Sequence, residues 1–306
     1  MLQHRVCYVF LHDEQGNVMA KGEIAPIIGL SIESWDQIEA AIQEWLRGEF
    51  SQADQWPSSL HAAIDMLWQD LFPKPFPQHC LINGLVWMND LVSMHHEAIE
   101  KYKQGFRCIK IKVGALNFED ELSLIRSLRN QFGSDVILRL DANGAWKPSE
   151  AMTKLDALSK WSIHSVEQPI ATEQWKDMRE LSKNSPIPIA LDEELIGVEL
   201  MNIENVINEI EPQYLVIKPS LHGGLDRSIQ WIQAAENKGI QWWATSALES
   251  NVGLSHIYRW LGQFHNALPQ GLGTGHLYTN NWESPLQLNG EYMEWNNALN
   301  WKEPWN

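Results

Sequence analysis

A TIM-type (β/α) barrel with an N-terminal α+β capping domain is the fold predicted for this α/β chain of 306 residues. Three observations predict it. Five short apolar runs recur between residues 108 and 220: CIKIKV (108 to 113), VILRLDAN (136 to 143), HSVEQP (164 to 169), IPIALDEE (187 to 194) and YLVIKPS (214 to 220). Their key residues lie about 25 apart, the length of one strand plus one helix. Each run ends in charge, at Lys110 and Lys112, Asp141, Glu167, Asp192 and Lys218. Charged groups finish buried strands mainly where a barrel gathers ligands or catalytic groups.

The elements follow in order. RVCYVFLHDEQGNVMAKGEIAP (5 to 26) alternates apolar and polar positions around a turn at Gln15, Gly16 and Asn17, which predicts two paired strands. Helices are predicted over 31 to 47, with Ser31 as N-cap and Gly48 as stop, and over 58 to 71. Three prolines within residues 72 to 77 mark a linker, so residues 1–77 form the capping domain. Beyond it, helical segments at 90 to 104, 119 to 132, 149 to 160, 171 to 183, 198 to 209 and 224 to 238 alternate with strand-like runs. LINGLVWM, the five runs above, QWWATSAL and GLGTGHL supply eight strands, giving a lean barrel over residues 78–280. A tail, 281–306, carries Trp282, Trp295, Trp301 and Trp305, too many aromatics for a free end, and is expected to pack back on the barrel or the cap.

Composition narrows the class. With 44% apolar residues the chain can build a full core, and disorder is not expected. The formal charge of -16, without any basic run, argues against nucleic acid or an anionic membrane as a general partner. Local lysines must therefore receive any small anionic substrate. Three cysteines without a CxxC pair fit a reducing compartment, and neither a signal-like start nor a membrane-length apolar run is present, so a cytoplasmic location is expected. Oligomeric state is not set by the sequence.

Lys110 and Lys112 share one strand face, opposite Ile109, Ile111 and Val113. Helices cover the outside of a barrel, so both lysines are expected to point inward, where crowding of like charges tends to lower a lysine's pKa toward that of a working base. KxK alone is equally compatible with a solvent-facing edge strand. Asp141, Glu167 and Asp192 come from successive strand ends; three such oxygens suit a hard cation, Mg²⁺ or Mn²⁺, better than zinc, because no His or Cys lies among them. A lone strand-end Asp is commonly a helix N-cap, but three in series flanked by lysines favour a metal site. Lys218 is expected across the mouth from Lys112, so that a cation between two lysines can serve proton abstraction beside a carboxylate. His95 and His96 read as a solvated helix start, and Gly223 and Gly224 as either an anion cradle or a turn.

With those residues in place, the chain resembles the enolase superfamily, for which lysine bases and Mg²⁺-stabilised enediolates are described. The matching pieces are GEIAPIIGLS (22 to 31), ING (82 to 84), IKIKVG (109 to 114), LRLDANGAW (138 to 146), VEQP (166 to 169), ALDEEL (190 to 195), VIKPSLHGGL (216 to 225), ALESNVGL (247 to 254) and GLGTGHL (271 to 277). Within the superfamily they are most similar to the ortho-succinylbenzoate synthases of menaquinone biosynthesis. The resemblance implies a hydro-lyase that dehydrates 2-succinyl-6-hydroxy-2,4-cyclohexadiene-1-carboxylate by syn elimination. It implies Lys112 as the base, Lys110 tuning it, and Lys218 on the opposite face. Asp141, Glu167 and Asp192 become metal ligands, with Asn143 and Glu193 in support at the substrate site. Thr245 and Gly271 become substrate contacts, and the loop from Pro26 to Ser31 closes over the succinyl arm. The same lysines would also serve an N-succinylamino acid racemase. Two departures stand out: Glu194 replaces a small hydroxyl residue found in many relatives, and VEQP stands where EEP or EQP is usual. Thr245 stands where serine is common, and strand eight lacks the DxD of dipeptide epimerases.

Overall fold

The computed structural model describes residues 3–303. Strands β1 (Cys7–His12) and β2 (Val18–Ile24) pair antiparallel, with Cys7 opposite Ile24. Their turn is set by Gly16, whose φ of 86° suits glycine, and by Asp13, whose carboxylate accepts the Asn17 amide at 2.8 Å. Helices α1 (Trp35–Arg47) and α2 (Ser58–Leu71) pack on this ribbon through Ile24, Ile38, Trp56, Leu60 and Ala63. The start of α1 corrects the sequence expectation. Ser34, not Ser31, caps it: the Ser34 hydroxyl accepts the Gln37 amide while Gln37 accepts the Ser34 amide at 2.8 Å. Ser31 instead accepts the Ile27 amide at 2.9 Å and shapes the preceding loop. Gly48, with φ 73°, ends the helix as predicted.

Residues 79 to 261 supply β3 (His79–Leu81), β4 (Gly84–Val86), α3 (Leu91–Lys103), β5 (Cys108–Lys112), α4 (Phe118–Phe132), β6 (Ile137–Asp141), α5 (Pro148–Ser159) and β7 (Ile163–Glu167). They continue with α6 (Trp175–Asn184), β8 (Ile189–Leu191), α7 (Ile203–Ile210), β9 (Tyr214–Ile217), α8 (Leu225–Asn237), β10 (Gln241–Ala244) and α9 (Asn251–Leu261). Seven strands, β4 to β10, run parallel in sequence order, each next to its successor. Ile109, Ile111, Leu138, Leu140, Leu215 and Ile217 face outward into one continuous core with the helices. Helix α9 was not among the predicted segments, and His95 and His96 lie inside α3, which Asp90 caps.

The predicted eighth strand is a correction. GLGTGHL forms no strand; closure is made by two isolated bridges, Gln270 to Ile82 and Gly271 to Thr245. The Gln270 side chain does a strand's work there, accepting the Ala244 amide at 2.7 Å. Gly271 is required because an added Cβ would lie 2.3 Å from Thr245 Oγ1. The barrel is therefore closed with a minimum of backbone pairing.

After the barrel, β11 (Leu286–Asn289) and β12 (Tyr292–Trp295) form a small sheet with β3. Trp282 meets Tyr8 and Phe10 of β1, the Lys21 ammonium of β2 lies 3.6 Å from the centre of the Trp301 ring, and Trp295 stacks on Tyr258 of α9. Trp305 falls outside the described residues. Among those described, no helix is long and apolar enough to cross a membrane.

Candidate active site

All six charged strand ends converge at the C-terminal end of the barrel. Alternation along β5 turns Ile109 and Ile111 to the helices and Lys110 and Lys112 inward, as predicted. Lys110 Nζ lies 2.9 Å from both Asp141 Oδ2 and Glu167 Oε1. Lys112 Nζ donates to Asp141 Oδ2 at 2.6 Å and to Asn143 Oδ1 at 2.7 Å. From the far side of the barrel, Lys218 donates a short bond to Asp192 Oδ2. Asn143, held at φ 44°, turns its amide to Glu193 Oε1 at 2.7 Å and so links Lys112 to the end of β8.

Asp141, Glu167 and Asp192 are all buried, and each offers an oxygen within 4.8 Å of the others. Burial raises Glu167 and Asp192, with Asp141 adding to the rise at Glu167 and Glu193 to that at Asp192. Burial also works against charge on Asp141, but Lys110 and Lys112 outweigh it and hold its carboxyl below the ordinary range. Three carboxylates packed so closely call for more positive charge than hydrogen bonds supply. Asp192 Oδ1 and Glu193 Oε2 are buried with no hydrogen-bond partner among the described residues. An all-oxygen set with an unsatisfied buried oxygen fits a hard divalent cation, so this triad could bind a metal.

The depression of a lysine pKa expected from the crowding of Lys110 and Lys112 is not found at Lys110, and Lys218 is raised as well. Burial pulls both down, yet Asp141 and Glu167 carry Lys110 above its ordinary value, and Asp192 pushes Lys218 up to about 12. Each ammonium faces carboxylates more closely than it faces another ammonium, and attraction dominates.

Two residues passed over in the sequence build the floor and rim. Arg139, two positions before Asp141 and therefore on the same face, is buried beneath the site, 3.9 Å from the centre of the Trp243 ring, and donates to Pro269 O at 2.7 Å. The period-two rule already placed it there. Trp87 follows β4, its ring centre 5.9 Å from Lys112 Nζ, and lines a cavity of about 1070 Å³ together with Leu248 and Tyr278. Thr245 donates to Gly271 O at 2.9 Å, so these two residues face each other across the closure of the barrel. Gly223 and Gly224 form a turn that brings α8 against α2: a Cβ on Gly224 would lie 3.2 Å from the Ala62 amide.

The VEQP and DEE segments meet. Gln168 of VEQP accepts the Asp192 and Glu194 amides at 3.2 and 3.3 Å and donates to Glu194 Oε2 at 3.2 Å. Glu194 in turn accepts Trp175 Nε1 at 2.6 Å and the Glu173 amide at 2.9 Å. Together they knit the strand ends that carry Glu167 and Asp192.

A parallel barrel with an N-terminal cap, carrying carboxylates on three successive strand ends between lysines, defines an enolase-like architecture. Residues 93–295 match the family described as enolase C-terminal domain-like, and the chain belongs to that family. It is 45% identical over 256 residues to the o-succinylbenzoate synthase of Desulfotalea psychrophila, covering 83% of this chain and 63% of that one. It is 28% identical over 193 residues to the hydrophobic dipeptide epimerase of Enterococcus faecalis, covering 59% and 53% of the two chains. The chain thus spans less than two thirds of the length of either relative. Among solved structures, MenC from Desulfotalea psychrophila superposes with a TM-score of 0.77 at 31% identity, covering 95% of this chain and 99% of that one.

Proposed function

We propose that this protein is an o-succinylbenzoate synthase acting in menaquinone biosynthesis in the cytoplasm. It removes water by syn elimination from 2-succinyl-6-hydroxy-2,4-cyclohexadiene-1-carboxylate to give 2-succinylbenzoate. The observation that carries this reading is the pairing of an intact site, Lys112 and Lys218 on either side of three carboxylates, with 45% identity to a synthase over most of the chain.

Asp141, Glu167 and Asp192 would hold Mg²⁺, or Mn²⁺, with Glu193 and Asn143 beside them. When bound, the cation supplies positive charge to the substrate carboxylate and to the negative charge that grows on it as the proton leaves. Lys112 takes the proton alpha to the carboxylate. Asn143 and Asp141 fix its Nζ through bonds of 2.7 and 2.6 Å. The same Lys112, now protonated, gives its proton to the departing hydroxyl, which leaves as water from the same face. Lys218, on the far side of the triad against Asp192, stabilises the developing charge from the opposite face. Lys110, 2.9 Å from Asp141 Oδ2 and Glu167 Oε1, tunes Lys112 and touches the substrate carboxylate, while Thr245 and Gly271 contact the substrate at the closing edge. The loop from Pro26 to Ser31 covers the succinyl arm.

We also take 1–77, 78–280 and 281–306 as cap, barrel and tail, a division supported by the small sheet that the tail forms with β3. A second reading, N-succinylamino acid racemisation, is favoured by lysines on both faces and by the epimerase relative. The test is loss of the diene's absorbance with purified protein, run beside deuterium wash-in at the alpha carbon of N-succinyl amino acids. Dehydration should be the faster reaction. Faster wash-in would assign the protein to racemisation.

A further inference from the structure

Two buried glutamates outside the reaction centre connect Lys218 to the cap. Ser220 lies two residues after Lys218, fully buried, and donates a short bond to Glu249 Oε1. Glu249, at 0% exposure on the loop after β10, accepts at its other oxygen from Ser246 Oγ at 2.6 Å and from the Ala247 amide at 2.7 Å. The loops after β9 and β10 therefore hang on one carboxylate.

Alongside it, Glu23 of β2 reaches from the cap into the first turn of α9. It accepts the amides of Ser250 and Gly253, each at 2.7 Å, and Ser250 Oγ at 2.6 Å. Gly253 lets both glutamates come close: a Cβ there would lie 2.8 Å from Glu249 Cγ and 3.1 Å from Glu23 Oε2. Three residues after Glu23 begins the loop proposed to cover the succinyl arm. Two sets of buried hydrogen bonds, Glu249 to the Lys218 loop and the loop after β10, and Glu23 of the cap to the first turn of α9, thus pack together at Gly253, and the loop proposed to cover the succinyl arm continues from Glu23.

We propose that Glu249 is a positioning residue that holds the Lys218 loop in register with the loop after β10, and that Glu23 extends this clasp to the cap. The clasp rests on the reading of Lys218 as a group facing substrate. It makes cap docking and Lys218 placement one event.

Hydrogen bonding, not charge, is what the role needs, and that separates the variants. In Glu249→Gln the amide oxygen can accept from Ser246 and Ala247 while the amide NH₂ donates to the Ser220 hydroxyl, which can turn to accept. Glu249→Met can do neither. On the full-length, Mg²⁺-loaded protein, Glu249→Met should lower kcat about 30-fold with KM changed less than about twofold, as expected when alignment and not uniform binding is lost. Glu249→Gln should recover most of the loss. In parallel, amide hydrogen exchange over 219–224 should speed up in Glu249→Met and not in Glu249→Gln. If Glu249→Met does not fold, Ser220→Ala removes one contact and should show the same pattern, with kcat lowered about fivefold. An unchanged kcat, a parallel rise in KM, a Gln variant as impaired as Met, or unchanged exchange over 219–224 would each overturn the proposal. A wild-type protein that does not turn over the diene would count against the dehydration reading alone, and exchange over 219–224 would then decide the clasp.

Discussion

Lys112 is the residue on which the proposed chemistry turns, because it alone of the three lysines touches both a carboxylate of the triad and Asn143. Removing a positioned base typically removes about 10² to 10⁴ in rate, so Lys112→Ala should lower kcat by roughly 10³ or more while leaving the fold intact. Steady-state kinetics together with circular dichroism check this, and near wild-type turnover would dismiss Lys112 as the base. Glu23 has a different signature. Burial pushes its carboxyl from an ordinary 4.5 up to about 7, against the pull of its bonds from Ser250 and Gly253. The folded state then holds the proton more tightly than the unfolded chain does. Stability from this group is fully present below about 4.5 and is lost as pH rises through about 7. Relative to Glu23→Gln, which does not titrate, the wild type should lose up to roughly 3 kcal/mol across that window in urea titrations at stepped pH. A difference that does not vary with pH would remove the titration from Glu23. The acidic triad and the lysines were legible in the sequence because a period of two and a spacing of about 25 residues put them on one face of successive strands. Glu23 and Glu249 were not: Glu23 meets Ser250 and Gly253 more than two hundred residues along the chain, and Glu249 ties its own loop to Ser220 on the loop before α8, and neither pairing follows a helix or strand period.

At the scale of elements, helix limits followed from caps where a single residue fitted the role, as at Gly48, whose left-handed backbone ends α1. They slipped where several serines competed. Ser31 and Ser34 both precede α1, and only the glutamine three residues after Ser34 decides between them. Helix α9 was hidden because its start, Ser250 to Gly253, is spent on contacts with the cap and carries a glycine that propensity reads against a helix. The eighth strand failed for the opposite reason. GLGTGHL sits where a strand should close the barrel, but backbone pairing there is confined to Gln270 and Gly271, where Gly271 serves close approach to Thr245 and the Gln270 side chain adds a bond to Ala244. Gln270→Ala should therefore leave the buried Ala244 amide unsatisfied and cost about 1 to 3 kcal/mol, read as a lowered urea midpoint with an unchanged m-value. An unchanged midpoint would show that closure does not depend on that side chain.

For the molecule as a whole, the order of elements and the cap-plus-barrel architecture were legible because eight apolar runs at regular spacing admit few other folds. The pairing of the tail with β3, and of Trp282 and Trp301 with the cap, depends on the closed fold and has no signal in sequence order. What the closed fold achieves is to bury three carboxylates together and leave an oxygen of Asp192 unsatisfied. That arrangement could hold a divalent cation, and the proposed reaction needs one. The most direct test of the account is the rate of absorbance loss of 2-succinyl-6-hydroxy-2,4-cyclohexadiene-1-carboxylate with purified protein, first in EDTA and then with Mg²⁺ restored. The account predicts no turnover in EDTA and full turnover on adding Mg²⁺; turnover that persists in EDTA, or none under either condition, would contradict it.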